Sequence, residues 1–76
     1  MNKQRRKRIQ EVYDAITEKV EELTMLMEEE QEAYDNLPES IQNGERGEQM
    51  QSHIDNLESA ISDFESGADC MAEVLS

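Results

Sequence analysis

His53 and Cys70 are the only histidine and the only cysteine of this 76-residue chain, and 19 acidic residues supply its carboxylates. A di-iron bundle site needs Glu-x-x-His pairs on inward faces, and no Glu precedes His53 by three residues. Calcium-loop spacing is missing as well. The run Glu28-Glu29-Glu30 with Glu32 reads as a solvated helical face rather than a calcium site. Cys70 falls off the apolar periodicity with no cationic neighbour in sequence to activate it, so an ordinary exposed thiol is expected. His53 flanks the apolar seam one turn before Leu57 and reads as a boundary residue rather than a base. Asn43-Gly44 and Gly47 belong to a turn, not to a phosphate-binding loop. The expectation is a protein that is not an enzyme, with no catalytic residue, no metal and no cofactor.

What must be positioned is therefore an apolar seam. Met50, Ile54, Leu57, Ile61, Phe64, Ala68, Met71 and Leu75 follow one another in steps of four and three. That is the signature of a coiled-coil helix over residues 45–75. Upstream, Ile9, Val12, Tyr13, Ile16, Val20, Leu23, Leu26, Met27, Ala33, Tyr34 and Leu37 mark one face of a helix over residues 9–36. Lys19 and Glu30 interrupt that face. Leu37-Pro38 closes the first helix, because a proline pushes the residue before it out of helical geometry. Residues 37–44 form the connector, in which residues 38–42 can make one short turn ended by Asn43-Gly44, with Ile41 plugging the bend. Gly67 lies beside the seam, where it would permit close helix approach.

Two helices of about 42 and 46 Å joined by so short a connector should return antiparallel. The fold class expected is all-α: an antiparallel, coiled-coil-like helical hairpin over residues 9–76 that completes a four-helix bundle by dimerising. Its small size argues the same way. A core below about 80 residues rarely supplies more than about 3–5 kcal/mol, and a lone cysteine excludes an internal disulfide.

Charge is unevenly spread. Lys3, Arg5, Arg6, Lys7 and Arg8 hold five of the seven basic residues, so residues 1–8 read as a basic N-terminal arm, frayed or paired with carboxylates elsewhere. In the hairpin register that arm comes beside Asp69 and Glu73. From residue 9 onward two basic residues face nineteen acidic ones, a net charge of −17. Such a body repels nucleic acid and anionic membrane and favours basic protein partners. No apolar run reaches the ~18 residues of a membrane span, and the basic start is not followed by a signal-type apolar core. A cytoplasmic setting is expected.

The stretch Tyr34-Asp35-Asn36-Leu37-Pro38-Glu39-Ser40-Ile41-Gln42-Asn43-Gly44-Glu45-Arg46-Gly47-Glu48-Gln49-Met50, with Ile54-Asp55-Asn56-Leu57-Glu58-Ser59-Ala60-Ile61, resembles the middle of small acidic two-helix proteins encoded by phages and prophages of Gram-positive bacteria. The resemblance covers roughly half of the chain. It implies a small accessory gene product acting on host machinery in the host bacterial cytoplasm, and it brings no catalytic or binding residues with it.

Two functional readings follow. In the first, the protein self-associates and docks on a host or phage protein through Ile16, Leu23, Leu26, Met50, Ile54, Leu57, Ile61, Phe64 and Met71. In the second it imitates nucleic acid and inhibits a basic DNA- or RNA-binding protein, in the manner of anti-restriction or anti-CRISPR proteins. Its acidic face would then be Glu11, Asp14, Glu18, Glu21, Glu22, Glu28, Glu29, Glu32, Asp55, Glu58 and Glu65. Carboxylates three, four and seven residues apart on a helix are separated by about 5–10 Å, a range that overlaps phosphate spacing along a strand.

Overall fold

The computed structural model describes residues 1–76. It contains α1 (Lys3–Asp35), the single turn α2 (Glu39–Gln42) and α3 (Glu45–Leu75), with no strand. The two long helices run antiparallel as a rod of 59 × 15 × 13 Å. Arg6 at the start of α1 touches the last residues of α3, and Gln42 at the connector touches the last turn of α1.

α1 begins at Lys3 and so takes up most of the basic segment expected to be a separate arm. Asn2 caps it, its Oδ1 accepting from the Arg5 backbone N–H at 2.7 Å. Arg6 donates from Nη1 to the carbonyls of Leu75 and Val74, at 3.0 and 3.3 Å. Those oxygens lie at the end of α3, where carbonyls lack helical partners and the dipole favours a cation. The arm therefore meets backbone carbonyls; no ion pair to Asp69 or Glu73 forms. An asparagine cap, worth about 1 kcal/mol, offsets the macrodipole cost of basic residues in the first turn. Arg6→Ala is expected to cost about 1 kcal/mol of stability, measurable as a lower urea midpoint by circular dichroism at fixed protein concentration.

The α1 residues turned toward α3 are Arg6, Ile9, Tyr13, Ile16, Val20, Leu23, Met27, Glu30 and Tyr34, with Leu37 continuing the pattern just past the helix end, all partly buried. Their steps alternate strictly between three and four, so the period is 3.5 and the helix is a coiled-coil strand like its partner. The broader face expected from sequence splits in two: Val12, Leu26 and Ala33 are exposed on the flank. Thr17 and Thr24 are partly buried beside this seam instead. Each hydroxyl donates to the carbonyl four residues back, Tyr13 O at 3.0 Å and Val20 O at 2.9 Å, so neither is left unsatisfied.

Of the large apolar side chains of α3, only Ile54 and Ile61 are buried, at 4% and 7% exposure. Met50, Leu57, Ala68, Met71 and Leu75 are half-buried, whereas Phe64 is 51% exposed. With two helices, a seam side chain is covered only from the front, and a large ring leans out beside the partner helix.

The connector departs from expectation in its glycines. Asn43 caps α2 in right-handed geometry, and Gly44, at φ −92° and ψ −176°, is the extended residue that opens α3. No glycine has positive φ. Ile41 is exposed rather than plugging the bend. The bend is closed by Gln42, whose Nε2 donates to Tyr34 O at 2.9 Å, and by Gly47, which is buried. A Cβ on Gly47 would lie 2.0 Å from the Gln42 carbonyl oxygen, while a Cβ on Gly67 would meet nothing within 4 Å. The glycine that permits close approach is thus Gly47 and not Gly67.

Candidate interaction surface

The sides of the hairpin differ in chemistry, because residues just off the seam differ by side. On one side Val12, Ala15, Ile16, Lys19, Val20 and Leu23 of α1 and Phe64 of α3 line an open groove of about 470 Å³. Six of its seven residues are apolar. It runs on toward the start of α1 into a second hollow, walled by Ile9, Val12, Ala15 and Met71 and rimmed by Arg5, Arg8 and Glu11. A narrower hollow includes Tyr13, Thr17, Glu21, Glu65 and Asp69 and is more polar. Val12, Leu26 and Phe64 are each about half exposed, which leaves apolar surface in water at a cost of about 25 cal/mol per Å².

The residues expected to form a docking seam therefore occupy three environments. Ile54 and Ile61 are consumed inside the hairpin. Ile16, Leu23, Met50, Leu57 and Met71 are shared between the hairpin and its margins. Leu26 and Phe64 are free to touch something else, and Val12, which carries the same exposure, joins them. The sequence signal for that flank is a seven-residue repeat, Arg5, Val12, Lys19, Leu26 and Ala33, lying beside the inner seam.

Glu11, Asp14, Glu18, Glu21, Glu22, Glu28, Glu29, Glu32, Asp55, Glu58 and Glu65 are all exposed. One ion pair forms in the whole molecule, Lys19 Nζ to Glu22 Oε2 at 3.1 Å. Glutamines take the place of lysines as close partners. Gln10, Gln31 and Gln51 donate to Asp14, Asp35 and Asp55, each four residues on, at 3.0–3.1 Å. These contacts orient carboxylates without neutralising them, each contributing about 0.2–0.5 kcal/mol to its helix. Beyond the basic start of α1, the surface stays negatively charged along both helices.

His53 and Cys70 are exposed. Seventeen residues apart on one straight helix, they lie about 25 Å from each other and cannot act as a pair. No helix is long and apolar enough to cross a membrane.

Fold and surface together define an all-α helical hairpin with one apolar flank and a dense carboxylate exterior. Comparison with protein-family models, curated proteins and solved structures returns no match.

Proposed function

We propose that this protein is a non-enzymatic interaction module, phage- or prophage-encoded and acting in the bacterial cytoplasm, that self-associates and docks on a protein with a basic surface. The observation that carries the reading is the shortage of enclosed core. Only two large apolar side chains are buried, while Val12, Leu26 and Phe64 stand half exposed on the outside. An apolar surface of that kind is covered by association. The acidic exterior restricts what else can approach, since like charge repels nucleic acid and anionic membrane and a basic protein surface is attracted.

The exposed carboxylates favour a second reading, mimicry of nucleic acid. Every acidic side chain of the two long helices except Glu30 faces solvent, and the single intramolecular ion pair leaves nearly all of them uncompensated. In that reading a basic groove replaces its phosphate contacts with Glu and Asp.

Affinity capture at about 50 mM and 500 mM salt, with duplex DNA as competitor, separates the two. Apolar docking is expected to retain its partner at both salts and to lose it on Phe64→Asp. Retention only at low salt, with displacement by DNA and indifference to Phe64→Asp, would replace that reading with mimicry.

A further inference from the structure

We infer that the occupant of the apolar flank is a second copy of this chain, laid with its α1 antiparallel to the first α1 and crossing it at Lys19. This rests on the self-association reading and adds to it a surface, a direction and a register.

Area gives the first argument. A compact monomer of 8.8 kDa is expected to expose about 4,800 Å², whereas this chain exposes 5899 Å². The excess of about 1,100 Å² is of the size that each partner buries in a standard stable interface, about 800 Å². The rod shape produces the excess, and a rod can remove it by lying along another rod.

Charge gives the direction. α1 has a basic end, Lys3 to Arg8, and an acidic end, Glu28, Glu29, Glu30 and Glu32. Parallel copies would put like charges side by side at both ends; antiparallel copies put each basic end against an acidic one. Arg5 and Arg8 stand on the rim of the apolar hollow, where the copy's acidic residues would arrive.

The flanking repeat gives the register. An antiparallel crossing centred on Lys19 sets Val12 opposite Leu26 of the second copy, twice by symmetry, and so covers two of the most exposed large apolar residues. The same register sets Ala15 opposite Leu23, Arg8 opposite Glu30, and Arg5 opposite Ala33 near Glu29 and Glu32. The two Lys19 side chains meet at the dyad, but each is already compensated by Glu22 of its own helix. Phe64 lines the groove between Val12 and Leu23, beside the crossing, where it closes the apolar patch from α3. Such a contact is isologous, as a twofold dimer requires.

The test is disulfide trapping in a Cys70→Ser background, in which no native thiol remains. Positions 12 and 26 are both exposed and lie about 21 Å apart on one helix, so they cannot bridge within a chain. Circular dichroism confirms that each variant keeps its helices. The double variant Val12→Cys/Leu26→Cys is expected to oxidise to a covalent dimer of twice the 8.8 kDa chain mass, while each single variant stays at the chain mass. Arg8→Glu is expected to weaken the dimer at least tenfold, and adding Glu30→Arg to restore it. Cross-linking of Val12→Cys alone would overturn the antiparallel arrangement. A dimer by light scattering that the double-cysteine variant does not trap would overturn the surface while leaving self-association standing. A monomer at about 100 µM would overturn both.

Discussion

Ile54→Ala is expected to unfold most of the protein at micromolar concentration, and Ile61→Ala to do nearly the same. These are the only two large side chains the hairpin encloses, at 4% and 7% exposure. Truncating a buried isoleucine to alanine costs about 2–5 kcal/mol, from lost transfer energy and from the cavity left behind. A domain of this size has about 3–5 kcal/mol in total. One truncation therefore consumes most of the margin. The two isoleucines stand seven residues apart on α3, so the helix cannot slide to fill the gap without breaking register along its whole length. Urea titration followed at 222 nm reads the effect. Ile61→Val should cost only about 0.5–1.5 kcal/mol and remain folded. A loss under about 1 kcal/mol for either alanine variant would show that the hairpin is held by something other than this pair.

Gly47→Ala and Gly67→Ala are expected to move stability in opposite directions, although both put alanine for glycine inside the same helix. In a helix, alanine is favoured over glycine by about 1 kcal/mol. At Gly67 nothing lies within 4 Å of the added methyl, so that gain is realised. At Gly47 the methyl would sit 2.0 Å from the carbonyl oxygen of Gln42 and 2.5 Å from its backbone carbon atoms. The obstacle is backbone and cannot swing away like a side-chain tip. α2 must lift off α3, and the Gln42 bond to Tyr34 O goes with it. Overpacking of this kind costs about 1–3 kcal/mol, more than the propensity gain. Thermal unfolding at matched protein concentration should show Gly67→Ala melting higher than the natural sequence and Gly47→Ala lower. A stabilised Gly47→Ala would mean that the connector does not pack on α3 as described.

Hairpin and acidic exterior were legible because each follows from a one-dimensional pattern. Alternating steps of three and four place Met50 to Leu75 on one stripe whatever the stripe packs against, and α3 spans Glu45–Leu75 as the periodicity predicts. Pro38 ends α1 because ring sterics act on the adjacent residue. All the carboxylates except that of Glu30 fall off the seams and are exposed, because a helix that buries one stripe leaves the others in water.

What the sequence could not decide is how two stripes share one interface. Val12 and Tyr13 are adjacent apolar residues on α1, yet Tyr13 faces α3 and Val12 faces the flank. Phe64 and Ile61 both continue the α3 seam, yet Ile61 is enclosed and Phe64 leans out. Gly47 and Gly67 look alike in the chain and differ only in what lies beside them. Arg6 looks like its basic neighbours until the far end of α3 arrives with two unpaired carbonyls. By itself the sequence determined the helices, the turn and the sign of the surface, since these depend on residues a few positions apart. Only the tertiary structure decided which side chains are enclosed, which glycine is indispensable and which flank stays apolar. Those depend on the distance and rotation between helices, set by contacts between residues as many as 69 positions apart.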